Sequence, residues 1–506
     1  MHRTRWTRLL VPRRSLMTWP YNVRYMRTTP FAPPKNTWVW LCNLVLIAVL
    51  GMNLYRAFSQ GITIDEAFSY FSFISVPFGE LLKRYDANNH VLNTLLARVV
   101  TRFCGVSEFS LRIPSLLGGA LFLAASQRLV LLLFPQGWFA FLVYCAVVLN
   151  PIVLDYLSAA RGYSLALGFQ YGAAWLLALD RKDPKLDLLI GCCLGLSIAS
   201  NLTFIVPNML LVGVWLVLHL RNGYDSLRKT VRIIAAFGMI GALFLALPLR
   251  HAQASNFYVG DGRLWKTVSD MLSRSFAFPE FATGYSITGI LIRAAPALLL
   301  GSMLVVLIAL AASPKPVLLV PATFMASLAA LVALHFLIGL LYPHERTGLY
   351  LIPFATITIG LSRQMWLDVV KLKFARPVWS AAVCLFLAAM VFQYVLELKV
   401  NRYEEWTFDA GTKRVLMKLD EHRREQNQPE RLGVSWVLDQ SVNWYRVVYG
   451  WNWLLPVTRA DPRTNSFDSY YLTQDDFDVI RQKALNVVYT DLVSGAVLAL
   501  PARSVH

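Results

Sequence analysis

Three short stretches of this sequence hold the residue types that group transfer requires. Thr63-Ile64-Asp65-Glu66-Ala67 places two carboxylates side by side just after an apolar run, where charge is costly to keep near lipid. Asn150-Pro151-Ile152-Val153-Leu154-Asp155 is followed within a few residues by Arg161 and Tyr163. Tyr342-Pro343-His344-Glu345-Arg346-Thr347 carries an arginine whose planar fork of donors matches a phosphate. A carboxylate can take a proton from a hydroxyl, and arginines can hold a departing phosphate. Together these residues point to transfer from a phosphate leaving group to a hydroxyl at a membrane surface. Each also has a plainer use. Thr63 or Asp65 fits a helix N-cap, Asp155 and Arg161 fit a salt bridge, and a lone His344 fits a structural hydrogen bond. Partial burial and the neighbouring charge of Glu66 are expected to raise the pKa of Asp65.

The elements that must position these residues are membrane spans. The chain has 506 residues, 56% of them hydrophobic and only 15% charged, with a mean hydropathy of +0.48. Soluble domains carry about 25% charge, so the bilayer is the solvent for most of this chain. That excludes a cytosolic enzyme, a secreted disulfide scaffold and a disordered protein. Long apolar blocks without period-two alternation argue against a β-barrel. The expected fold is mainly α, a polytopic transmembrane helical bundle with a small C-terminal α/β domain. About eleven spans are read, at 37–55, 111–134, 138–154, 163–179, 186–199, 203–219, 233–249, 286–312, 317–341, 348–362 and 378–396. The net charge of +18 is topogenic rather than a sign of nucleic acid, for no recognition motif accompanies it. Residues 1–36 form a basic segment with no acid, and further cations such as Lys182, Lys185, Arg228, Lys229 and Arg232 fall in loops on the same side. This places the N-terminus in the cytoplasm and, with an odd number of spans, the C-terminal domain outside.

The catalytic body is expected over 37–397, with its first outer loop at 56–110. In that loop Asp86-Ala87-Asn88-Asn89-His90 precedes Val91–Cys104, whose apolar stripe predicts an amphipathic helix lying in the interface. Residues 398–506 form the outer domain, with strands at Leu432–Leu438 and Leu485–Tyr489 and a helix over Lys413–Arg424. Its aromatic residues, Trp436, Trp444, Tyr445, Tyr449, Trp451 and Trp453, fit its own core or a sugar acceptor. The six cysteines have neither disulfide nor zinc spacing.

With these residues in view, the sequence resembles the GT-C superfamily of polytopic glycosyltransferases, in the bacterial branch similar to protein O-mannosyltransferases and the lipid A aminoarabinose transferase. The resemblance rests on Asp65-Glu66, Asn89-His90, Gly105–Ser115 opening the second span, Leu149-Asn150-Pro151, Ala160-Arg161-Gly162-Tyr163 and, more loosely, Arg346 before Tyr350 and Pro353. Two departures are visible: Ser158-Ala159 stands where many relatives carry Gln-Glu, and Val91-Leu92 follows His90 where many carry prolines. The resemblance implies an inverting transferase of the bacterial inner membrane, with its site away from the cytoplasm. Its donor would be a polyprenyl-phosphate-linked sugar, and its acceptor a hydroxyl of a glycan, lipid or protein. Asp65 would be the catalytic base. Glu66 and Asp155 would position the acceptor or a divalent metal ion, the one cofactor left open. Arg346, Arg161, His90 and His344 would bind the donor phosphate, and Asn89 and Tyr163 the acceptor. The rival functions are a flippase for lipid-linked glycans, which would spread charge through its spans, and a non-catalytic membrane scaffold.

Overall fold

The computed structural model describes residues 37–81, 86–253, 260–276, 287–313, 315–369, 375–423 and 428–502. The basic segment 1–36 and the loop cations Lys83, Arg84, Lys371 and Lys373 lie outside the described residues. Helices form wherever an apolar run was read. In chain order they are α1 (Thr37–Ser59), α2 (Ile64–Ser69), α3 (Phe78–Leu81), α4 (Val91–Cys104), α5 (Glu108–Leu133), α6 (Gly137–Val148), α7 (Pro151–Ser158) and α8 (Tyr163–Leu179). They continue with α9 (Pro184–Ser200), α10 (Ile205–Leu218), α11 (Tyr224–Leu249), α12 (Leu264–Phe276), α13 (Ile287–Ala312), α14 (Leu319–Ile338), α15 (Leu351–Val369) and α16 (Ala375–Leu396). Among the described residues, 6 helices are long and apolar enough to cross a membrane, or 7 if the bent pair α6–α7 is one span. The chain is a multi-pass membrane protein.

Packing sorts the helices. α1 fully buries only Cys42, Val49, Asn53, Arg56 and Ala57, a single stripe, while Leu44, Ile47 and Leu54 are exposed. α5 is central and packs on α8 at glycines. A Cβ on Gly118 would sit 2.4 Å from the Leu165 nitrogen, and one on Gly168 would sit 2.5 Å from the Gly118 carbonyl oxygen. Small residues let membrane helices approach this closely, which gives them dispersion contact that lipid cannot replace.

The span expected at 138–154 is not straight. α6 and α7 meet at 64°. Pro151 has no N–H to continue the ladder, and the Asn150 side chain accepts from Val153 N at 3.3 Å, starting a new helix. The bend carries Asp155 and Tyr156 away from the direction of α6. α4 forms over the residues expected, with Leu92, Asn93, Thr94 and Ala97 buried and Val99 and Phe103 exposed, so the polar Asn93 and Thr94 turn into the protein.

The C-terminal domain comprises α17 (Thr412–Arg423), β1 (Leu432–Val434), α18 (Asp439–Val448), β2 (Ser469–Leu472), α19 (Asp478–Gln482), β3 (Leu485–Thr490) and β4 (Val497–Pro501). Its sheet runs β1-β2-β4-β3, with β1 and β2 parallel and the other pairs antiparallel. The strand expected to reach Leu438 stops at Val434, and Trp436–Leu438 is a 3-10 turn. Trp444 and Tyr445 are core, whereas Trp436 and Tyr449 are exposed. The domain docks on the bundle through Tyr445, whose hydroxyl accepts from Ile62 N at 3.0 Å and donates to Glu108 at 3.1 Å.

Candidate active site

The acidic pair divides at α2. Thr63 caps the helix, its hydroxyl accepting from Glu66 N at 3.2 Å, while Glu66 Oε2 accepts from Thr63 N at 2.9 Å. This capping box uses Glu66 and leaves Asp65 free of it. Successive helical residues point about 100° apart, so the two carboxylates face different neighbours. Glu66 is fully buried against Arg112, which donates to its two oxygens at 2.8 and 2.6 Å. Ala160 N donates to it as well, at 2.6 Å. Arg112 also donates to the carbonyls of Ala57, Gln60 and Gly61, so it closes the end of α1 and fixes the loop to α2. Both partners are saturated, which is what makes a buried ion pair tolerable.

Asp65 faces the other way. Its Oδ2 lies 3.3 Å from Arg346 Nη1 and 4.0 Å from Arg161 Nη2, and the Trp406 indole donates to the carboxylate. Burial alone would raise its pKa, but Arg161 and Arg346 outweigh burial and hold it below the ordinary aspartate value. The expectation of a raised pKa is therefore corrected. The charge of Glu66, which was to help raise it, is spent on Arg112.

Arg161 is oriented by three further bonds, to Ser69 Oγ at 3.1 Å, Asp65 O at 3.3 Å and Asn88 Oδ1 at 2.8 Å. The next residue, Gly162, lets the chain pass between two others: a Cβ there would lie 1.9 Å from Ser200 O and 2.7 Å from the His90 Cβ. Tyr163 then opens α8 with its ring 5.2 Å from His90 and 4.7 Å from Tyr156. His90 is buried, and its Nε2 has no hydrogen-bond partner. Burial, then Arg161 and Arg346, hold its pKa well below the usual value, so it meets a ligand as a neutral ring. Asn89 accepts from Thr94 at 3.1 Å.

Arg346 sits on a 3-10 turn, Glu345–Gly348, after a residue in the left-handed region: Glu345 has φ 51°. Strain of this kind persists where surroundings over-determine it, and here they do. Glu345 binds Arg274 of α12 at 2.7 Å, Thr267 donates to Pro343 O at 2.6 Å, and Asp261 pairs with Tyr342. His344 turns to Asp270 of α12 and lies 3.7 Å from Glu345, on the flank of Arg274.

Asp155 also has firm structural partners. One oxygen pairs with Arg56 of α1, and the other accepts from Glu404 N at 2.8 Å and Glu405 N at 3.2 Å. Through this contact the segment leading into the C-terminal domain is drawn onto the site. It brings Glu405, whose carboxylate binds Arg274 and lies 3.9 Å from Arg346, and Trp406, packed 5.4 Å from Tyr156. Asp409 follows, accepting from Ile64 N at 2.6 Å and Ser441 Oγ at 2.6 Å. Tyr156, Glu405, Trp406 and Arg112 were not foreseen as site residues. Tyr156 stood beside Asp155 in view, but Glu405 had no signal beyond the return of charge after the last span.

The sequence leaves open a divalent metal ion as a cofactor held by Glu66 and Asp155. Glu66 and Asp155 are committed to arginines, and among the described residues no group of three His, Cys, Asp or Glu could hold a metal ion. What converges at Asp65 is two arginines, Arg346 and Arg161, with the Glu405 carboxylate beside Arg346 and the rings of Tyr156, Tyr163 and His90 packed together.

Among solved structures, the aminoarabinose transferase ArnT from Cupriavidus metallidurans, bound to undecaprenyl phosphate, is similar over 93% of this chain and 99% of its own, with a TM-score of 0.52 at 12% identity. The chain has the GT-C fold. Two other GT-C structures are matched more loosely. The archaeal oligosaccharyltransferase AglB from Archaeoglobus fulgidus, in complex with an inhibitory peptide and a dolichol-phosphate, covers 80% of this chain and 63% of its own at 12% identity and TM-score 0.40. The arabinosyltransferase EmbB from Mycobacterium smegmatis covers 81% and 44% at 10% identity and TM-score 0.34. No protein-family profile and no curated protein sequence matches the chain. The GT-C likeness is thus one of architecture, and the site must be read from its own residues.

Proposed function

We propose that this protein is an inverting glycosyltransferase that moves a sugar from a polyprenyl-phosphate donor to a hydroxyl acceptor. The observation that carries the reading is the Asp65 carboxylate set between Arg346 and Arg161, at the edge of a GT-C bundle. Support for the donor class comes from the bound undecaprenyl phosphate of ArnT. The acceptor oxygen attacks the anomeric carbon opposite the phosphate. Its proton passes to Asp65 as the new C–O bond forms, and the bond to the phosphate oxygen breaks with its electron pair. Arg346 and Arg161 stabilise the charge that gathers on the phosphate. Neutral His90 bonds the Ser200 carbonyl through its other nitrogen and so presents Nε2 as a hydrogen-bond acceptor, and Tyr163 and Asn89 line the acceptor side. Arg56 and Arg112 hold the framework through Asp155 and Glu66.

We place the site on the extracytoplasmic face of a bacterial inner membrane, with the N-terminus cytoplasmic. The test is transfer from a panel of radiolabelled undecaprenyl-phosphate-linked sugars, in membranes carrying the chain, to endogenous acceptors. Lipid extracts from a deletion strain should in parallel accumulate one such donor. A chain that turns over no member of the panel, in a strain with unchanged lipids, would overturn the proposal.

A further inference from the structure

Residues 447–458, between Arg446 and Arg459, carry no charge. They leave α18 in a tight turn. Gly450 takes φ 65°, in the left-handed region that glycine favours, and Trp451 N returns to Arg446 O at 2.9 Å. The turn sets rings side by side, Tyr445 to Tyr449 at 5.6 Å, Tyr449 to Trp451 at 5.4 Å and Trp451 to Trp453 at 5.8 Å. Tyr445 is buried and Trp451 and Trp453 are half-buried, while Val447, Tyr449 and Leu455 are exposed. The core of the C-terminal domain therefore covers only one side of this row. A contiguous apolar edge of this kind marks an interaction surface.

Glu108 fixes the height of the edge. It is the first residue of α5, a helix long and apolar enough to cross a membrane. It accepts from the Tyr445 hydroxyl at 3.1 Å and from Lys413 Nζ at 3.0 Å, and the same Nζ lies 5.2 Å over the Tyr449 ring. The row of rings thus begins at the mouth of a span. The headgroup layer is roughly 5 to 8 Å deep on each side of a bilayer, about one step of the row. On the bundle, Phe109 stacks on Phe58 of α1 at 3.8 Å, and Leu54, Tyr55 and Phe58 are exposed near the end of that span. The exposed apolar surface of the bundle therefore reaches the point where the row is docked.

We propose that the edge formed by Tyr449, Trp451, Trp453 and Leu455 seats the C-terminal domain in the lipid headgroup layer, so that the bilayer is the partner of this surface. Tyrosine and tryptophan favour that layer because each ring is apolar and carries one polar handle. The flanking cations Arg446 and Arg459 suit lipid phosphates, and no carboxylate stands between them in the chain to repel a phosphate. A glycan is served less well. Within 449–457 only Asn452 has a side-chain amide, and the amide of nearby Asn443 is spent on the N–H and C=O of Val457, at 3.0 and 2.8 Å. The proposal is independent of the transferase reading, and its test needs no donor.

The full chain is labelled with fluorotryptophan and placed in nanodiscs of phosphatidylethanolamine and phosphatidylglycerol. Trp451→Phe, Trp453→Phe and Trp436→Phe assign the three fluorine resonances. Trp436 is exposed before the opposite end of α18 and serves as the ring in water. A phospholipid carrying a nitroxide on its headgroup should broaden Trp451 and Trp453 more than Trp436, and a water-soluble gadolinium chelate should broaden Trp436 more than the other two. Equal responses from all three rings overturn the proposal. So does a soluble oligosaccharide that shifts Trp451 and Trp453 while the headgroup nitroxide leaves them sharp, since that is the behaviour of a sugar platform. Where a tryptophan substitution lowers folded protein, fluorotyrosine assigned with Tyr449→Phe reads the same edge at an exposed side chain. Its resonance should follow the lipid nitroxide, and one that follows only the chelate overturns the proposal.

Discussion

Asp65→Asn keeps the size of the side chain and touches no cap, because Thr63 performs that task. It also removes a countercharge of Arg161 and Arg346, so we expect folded protein to fall somewhat and transfer per folded molecule to be at least roughly 10²-fold slower, the lower end of what a general base contributes. Full turnover would remove Asp65 from the chemistry. Glu66→Gln should behave in the opposite manner. It leaves Arg112 buried with no countercharge, a change that costs about 3–5 kcal/mol, so folded protein in the membrane should fall while turnover per folded molecule holds. Detergent-stable protein counted by fluorescence size exclusion separates the two outcomes. At Arg346, lysine keeps the charge but not the fork and should retain part of the activity. Alanine should lose on the order of 10² to 10³ in rate, measured in the same membranes; equal activity in both variants would place the phosphate elsewhere. Sequence separated Asp65 from Glu66 only through the family resemblance, which made the first a base and the second a positioning group. Arg112, which distinguishes them, stood in view at the start of the second span, but an arginine 46 positions away has no local sign that it will turn back to α2.

Elements were more legible than partners. Apolar runs locate helices because lipid demands internal backbone pairing, so α4 and α17 fall within a residue of their expected bounds. The bend at Asn150-Pro151 was written in the sequence as a cap and a proline, yet an unbroken apolar composition hid it inside one span. What no periodicity carries is how the 400–409 segment lies against α2, since that depends on amides and carbonyls common to every residue. Asp409 makes this contact testable. Burial pushes its carboxyl from 3.8 to about 8, so between those values the folded chain binds a proton that the unfolded chain has lost. Stability therefore falls as pH rises through that window. Wild-type protein in detergent should melt at a lower temperature at pH 8 than at pH 5, and Asp409→Asn should shrink the difference. An undiminished slope would assign it to another group.

At the scale of the molecule, reporter fusions after about residue 400 and near residue 85 should report one side of the membrane, and fusions near residue 225 the other, by the distribution of Lys and Arg. A shared signal from 225 and 400 would mean that the spans between them are miscounted, most readily at the short span read over 348–362, where α15 lies. The bundle and the C-terminal domain also share a chronology. Ile64 N and the Asp409 carboxylate that receives it are 345 positions apart. At the ribosome, where chains grow by roughly 5–20 residues per second, the Asp65 loop would wait roughly 20 to 70 s for the segment that brings Glu405, Trp406 and Asp409. During that interval the nascent protein has its membrane helices but only part of the proposed site. A chain truncated before residue 400 should therefore insert in the membrane yet remain inert toward any donor it meets.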